Sequence, residues 1–117
     1  MNISIKATGH TLTDETRELM DAKFAKLGKL VGVGAMLACE IEESIAAVRA
    51  GGRYRAEGNL SVDGKLFRAE ATHETLEGAV DRVRDEITAE FKKVRGKERG
   101  LLRRGGARVK GWLRFGR

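Results

Sequence analysis

Polar and apolar residues alternate over residues 2–8, with Ile3, Ile5 and Ala7 on one side and Asn2, Ser4, Lys6 and Thr8 on the other. A period of two predicts a strand with one buried face. After Gly9-His10 the period lengthens: Met20, Phe24, Leu27 and Val31 recur at steps of four, three and four, flanked by Leu19 and Leu30. This is the stripe of an amphipathic helix over residues 13–30. Thr13 suits its N-cap, with Asp14 and Glu15 in the first turn where the helix dipole favours acid. Leu12 can act as a hydrophobic staple.

Alternation returns over residues 35–44, with Leu37, Cys39 and Ile41 inward, and over residues 53–62, with Tyr54, Ala56, Gly58, Leu60 and Val62 inward. Residues 45–52 read as the loop between them. Asp63-Gly64 is a hairpin signal, since a type I′ turn needs positive φ at both positions. A last strand follows over residues 65–72, with Phe67, Ala69 and Ala71 inward. The second helix spans residues 75–97, its stripe formed by Leu76, Val80, Val83, Ile87, Phe91 and Val94. The apolar period fades after Gly96, and six glycines in the last 22 residues predict a mobile tail. The organisation is therefore a domain of residues 1–97 and a basic, Gly-rich tail of residues 98–117. Alternating strands bury one sheet face only, so both helices must cover the same face. The fold class is α+β, a two-layer sandwich with order β-α-β-β-β-α, a four-stranded sheet and two helices on one face.

Length supports one domain with its own core: 117 residues, 41% of them hydrophobic. The single cysteine excludes an internal disulfide and suits a reducing compartment. No apolar run has the roughly 20 residues of a spanning helix, and the N-terminus has no signal-peptide pattern. A cytoplasmic protein with no membrane partner is expected. Charge changes the picture more. Residues 96–117 hold eight basic side chains and one acidic, +7, whereas residues 1–95 hold fifteen basic and sixteen acidic, −1. A near-neutral body with a cationic end fits a polyanionic partner, nucleic acid first and anionic membrane second.

Catalytic chemistry finds little support. His10 and His73 have no second ligand at metal spacing. A nucleophile pair of Cys39 and His73 would need a reactive thiol, yet Cys39 falls on the buried side of a strand. Glu42-Glu43 and Asp85-Glu86 read as solvated surface, and Gly32-Val33-Gly34 lacks the third glycine and the helix of a phosphate loop. No enzyme, metal, cofactor or small-molecule substrate is expected.

Binding chemistry finds more. Lys23, Lys26 and Lys29 lie along the first helix, and Arg82, Lys92, Lys93, Arg95, Lys97 and Arg99 along or just beyond the second. The tail interleaves Trp112 and Phe115 with Arg103, Arg104, Arg108, Lys110 and Arg114, a pattern in which aromatics stack on bases and cations meet phosphates. The same tail composition suits a membrane surface, and part of the Lys92–Lys97 cluster is also explained by the helix dipole.

Three segments carry a family resemblance: the DAKFAKLGKL ending of the first helix, the NLSVDGKLFRAEAT hairpin and the TLEGAVDRVRDEI start of the second helix. Together they resemble the ribosome hibernation-promoting factors, also called ribosome-associated inhibitors or the sigma-54 modulation protein family, over residues 1–99. The resemblance implies a fold similar to double-stranded RNA-binding domains. It also implies binding to rRNA in the decoding region of the small ribosomal subunit, over the positions of mRNA and of A- and P-site tRNA. Translation would then be blocked and idle ribosomes protected. By position, the implied rRNA contacts are Lys23, Lys26, Lys29, Lys93, Arg95 and Lys97. Three departures stand out. Thr75 holds a cap position usually occupied by Asp, and Glu77 replaces a tyrosine. Glu86, Ala89 and Glu90 occupy positions that are often basic. The residues after Gly96 are too few for a dimerisation domain, so a short-form member is expected, monomeric away from the ribosome. A free double-stranded RNA binder and a membrane-bound regulator are the alternatives.

Overall fold

A computed structural model of the chain describes residues 1–9, 11–45, 49 and 51–105, the last five as backbone only. The element order is β1 (Asn2–Thr8), α1 (Asp14–Val31), β2 (Met36–Glu43), β3 (Tyr54–Val62), β4 (Lys65–His73) and α2 (Leu76–Gly105). The expected order and the two-layer α+β class are both present. Of the expected loop at residues 45–52, residues 46–48 and 50 lie outside the described residues.

The four strands form one sheet in the order β1-β2-β3-β4. β1 pairs parallel to β2, and β2-β3 and β3-β4 pair antiparallel. Asp63 at φ 52° and Gly64 at φ 75° make the tight β3-β4 turn that their sequence requires. β2, β3 and β4 bury the side that their alternation indicates, and Ile3, Ile5 and Ala7 of β1 are half-buried on the same side. Leu37, Cys39, Ile41, Ala56, Leu60, Val62, Phe67 and Ala69 form the sheet half of the core. Met20, Phe24 and Leu27 of α1 and Ala79, Val80, Val83 and Ile87 of α2 close over it.

Strand direction fixes helix direction. Because β1 and β2 are parallel, α1 must return antiparallel to both. β4 runs with β2, so α2, folding back from it, runs the same way as α1. Both helices therefore start at one end of the molecule and finish at the other.

Both helix starts are capped. The backbone N–H of Thr16 donates to Thr13 Oγ1 at 3.1 Å, and that of Gly78 to Thr75 Oγ1 at 3.0 Å. The end of α1 is closed by Gly32 at φ 89°, whose N–H reaches the Gly28 carbonyl at 3.0 Å. α2 differs from expectation at its far end. It continues past Lys97 to Gly105, so the first residues assigned to the tail are helical. Leu, Arg, Lys and Glu dominate that stretch and are strong helix formers, which outweighs single glycines at 96 and 100. Glu98 also forms an ion pair with Lys65 at the start of β4 and holds the extension to the body.

Candidate nucleic-acid interface

The two helices leave a groove of about 800 Å³ between them. Leu19, Ala22, Leu27 and Leu30 of α1 supply its apolar lining. Its polar residues divide along the length. Glu77 and Asp85 belong to the first half of α2, and Lys92 to the second.

Lys23 sits half-buried on this groove rather than pointing freely outward. Its Nζ lies 2.9 Å from Glu77 and 3.0 Å from Asp81, both on α2. These two carboxylates, Glu77 first, raise the ammonium pKa above its ordinary value. Arg84 adds ion pairs to Asp81 at 3.1 Å and Asp85 at 2.9 Å. The first halves of the helices are thus joined by a mutually neutralising charge network. Glu77, which departs from the family pattern, has a structural partner in Lys23.

The second halves are different. Lys26, Lys29, Lys92, Lys93, Lys97 and Arg99 are exposed. Among the described residues none of these six joins an ion pair. Parallel helices bring the first five to the same half of the molecule, where Lys29, in the last turn of α1, also favours the negative end of that dipole; α2 runs on to Gly105, so its own negative end lies beyond Lys92, Lys93 and Lys97. Arg95 stacks its guanidinium 5.7 Å from the Phe91 ring, and Phe91 packs edge-on against Phe67 at 5.7 Å. Arg82 donates to the Thr72 carbonyl at 3.3 Å, near the opposite end. Of the expected contact residues, then, five lysines and Arg99 are free to meet an anion. Lys23 bridges the helices, and Arg82 and Arg95 rest partly on the body. Arg103 and Arg104 lie on the helical backbone of α2, while Arg108, Lys110, Trp112 and Arg114 lie outside the described residues.

The sheet's uncovered face holds a feature that alternation alone could not assemble. Arg55 on β3 reaches Glu40 at 2.8 Å, Glu42 at 3.0 Å, Glu57 at 3.2 Å and Glu70 at 2.5 Å. Arg68 pairs with Glu57 at 2.9 Å. These contacts, Glu42 first, push the Arg55 guanidinium pKa up. The Glu57 carboxyl is held below its usual range, chiefly by a hydrogen bond from Asn59 and then by the arginines. This face collects four carboxylates that mask the basic ends of the helices in the overall count.

Cys39 and His73 do not pair, as the burial expected for Cys39 implies. Cys39 aligns through Gly58 with Ala69, four residues before His73 on β4, a separation of about 13 Å along the strand. The His73 Nδ1 instead lies 3.2 Å from the Thr75 backbone N–H. Burial pushes the Cys39 thiol up to about 12, so it stays protonated and inert at neutral pH. The native protein is expected to resist thiol alkylation at pH 8 and to react fully in denaturant. Rapid labelling of the native chain, read by mass shift, would contradict a core role for Cys39. Among the described residues no group of three His, Cys, Asp or Glu side chains could hold a metal ion. None of the described helices is long and apolar enough to cross a membrane.

The chain is thus an α+β domain, a β-α-β-β-β-α sandwich with two parallel helices on one sheet face and, among the described residues, unpaired lysines in their second halves. The family model described as sigma 54 modulation protein / S30EA ribosomal protein matches residues 3–99, and the chain belongs to that family. The fold is similar to the N-terminal domain of Thermus thermophilus Protein Y, with a TM-score of 0.68 and 24% identity, covering 80% of this chain and 99% of that one. It is also similar to a ribosomal subunit interface protein from Coxiella burnetii, with a TM-score of 0.64 and 14% identity, covering 82% of this chain and 99% of that one. No curated protein matches the sequence.

Proposed function

We propose that this protein is a ribosome hibernation factor. It docks on rRNA in the decoding region of the small ribosomal subunit, covers the positions of mRNA and of A- and P-site tRNA, and blocks translation in idle ribosomes. One observation carries the reading within this chain. Lys26, Lys29, Lys92, Lys93 and Lys97 have no acidic partner among the described residues and converge at one end, although the body as a whole is slightly acidic. Folded RNA is recognised largely through its backbone and shape, so lysines without base-reading partners suffice. Lys23 then sets the spacing of the helices, and Lys26 and Lys92 present the groove's basic half. The action is steric, with no chemical step, and the protein is a cytoplasmic one.

The full chain is expected to co-sediment with purified small subunits and to be displaced when mRNA and initiator tRNA occupy the decoding region. Tight binding to a plain RNA duplex without co-sedimentation would instead make it a general duplex binder. Flotation with anionic vesicles alone would make it a membrane-surface protein.

A further inference from the structure

Strand β4 forms one edge of the sheet. The tight β3-β4 turn closes on Val62 and Lys65, so Lys65, Phe67, Ala69, Ala71 and His73 turn their backbone groups toward β3. Leu66, Arg68, Glu70 and Thr72 turn theirs outward. The Thr72 carbonyl accepts the bond from Arg82. The outward groups of Leu66, Arg68 and Glu70 are a template for one further strand.

The chain carries a matching pattern of its own. Residues 106–117 lie outside the described residues, and their sequence alternates with a period of two. Val109, Gly111, Leu113 and Phe115 are apolar or small, and Arg108, Lys110, Trp112 and Arg114 fall between them. The same period marks β1 to β4. Gly105-Gly106 stands where α2 ends, a common helix stop.

Topology and reach select the edge. α2 returns the chain to the end of the sheet where β4 begins, so a strand leaving that end runs parallel to β4. Beyond β4, it would repeat the β1-α1-β2 crossover, with the helix on the same face and the same sideways step. Beyond β1 it would have the opposite hand, which parallel crossovers almost never adopt. Residues 99–105 carry α2 about 10 Å past Glu98, which pairs with Lys65. Five extended residues span about 17 Å, enough to recover that overhang and descend the ~10 Å between packed layers. Residue 110 then arrives beside Leu66.

We infer that residues 110–115 form a fifth strand on the edge of β4, parallel to it. In this register Lys110 neighbours Leu66, Trp112 neighbours Arg68 and Arg114 neighbours Glu70, all on the uncovered face. The Arg68 and Glu70 side chains are 62% and 52% exposed, so each has surface left for a stacked ring or a second ion pair. On the helix side Gly111 neighbours Phe67, Leu113 neighbours Ala69 and Phe115 neighbours the half-buried Ala71. Large meets small at all three positions, as interdigitating rows require. A slip of one residue would instead turn the cations toward the core face. The strand stands whichever polyanion the lysines of the helices meet.

Amide hydrogen exchange by NMR on the full chain reads this edge. The N–H groups of Leu66, Arg68 and Glu70 should exchange at least about tenfold more slowly in the parent than in a Lys110→Pro, Leu113→Pro variant. The two prolines differ in parity, so one ladder N–H is lost whichever set faces β4. Protection of β2 and β3 should be unchanged. Unprotected edge amides in the parent, or protection that survives both prolines, would overturn the strand. Cross-strand contacts between residues 66–70 and 110–115 should arise within one molecule. Contacts only between labelled and unlabelled copies in a mixture would make the occupant a second copy and overturn the intrachain strand.

Discussion

Reversing charge at Lys26 and Lys92 together is expected to weaken association with small ribosomal subunits by about 100-fold at ~0.1 M salt. Both side chains line the basic half of the interhelical groove, one from each helix. Both are exposed and have no ion-pair partner among the described residues, so their loss removes no bond within the protein. Each substitution deletes a phosphate contact and puts a carboxylate in its place. A 100-fold loss corresponds to about 2.7 kcal/mol, or roughly 1.4 kcal/mol for each position. The melting temperature should stay within a few degrees of the parent. Lys23→Glu should behave in the opposite way, because it faces Glu77 and Asp81 with a third carboxylate and opens the helix seam. Its primary effect should be a lower melting temperature. Equilibrium sedimentation beside thermal unfolding separates the two cases. Undiminished binding by the Lys26→Glu, Lys92→Glu double variant would show that the helix ends are not the docking surface.

Gly58→Val should destabilise the fold by about 3 kcal/mol. A Cβ at this position would lie 2.8 Å from Val83 Cγ1 and 2.9 Å from Ile87 Cδ1. Both belong to α2 and are fully buried. The central strand can accept α2 at this distance only because residue 58 has no side chain. Valine adds two further methyl groups to an interior without voids to receive them. The helix must move outward, which also disturbs Phe91 on Phe67 and the Glu98 tether farther along. For a domain of this size the loss corresponds to a fall of about 15 °C in melting temperature. Thermal denaturation by circular dichroism measures it directly. A fall of only a degree or two would mean that α2 can shift over β3 without cost.

Much of this architecture is legible in the residue pattern. Strand alternation and the two apolar stripes define the order, the buried faces and the single covered side of the sheet. Asp63-Gly64 identifies its hairpin, and both threonine caps stand where the apolar stripes begin. Three features are not legible there, for distinct reasons. The Arg55 cluster joins Glu40 and Glu42 of β2, Glu57 of β3 and Glu70 of β4, and only strand register brings these positions together. Lys23 has the same local spacing as Lys26 and Lys29, yet its seam-side position gives it partners 54 and 58 residues away. Spacing within one helix places a lysine on a flank but does not say what the neighbouring helix offers. The end of α2 lies later than its stripe predicts because an apolar period vanishes where a helix leaves its support, whereas backbone helicity continues on propensity alone.

The parallel course of the two helices has a kinetic consequence. Acidic helix starts gather at one pole, with Asp14, Glu15 and Glu77, and five lysines gather at the other. Such a molecule carries a large permanent dipole moment along its long axis. In the field of a polyanion it turns before it touches, so productive collisions arrive lysine pole first. Encounter should accelerate steeply as ionic strength falls, while the lifetime of the formed complex changes less.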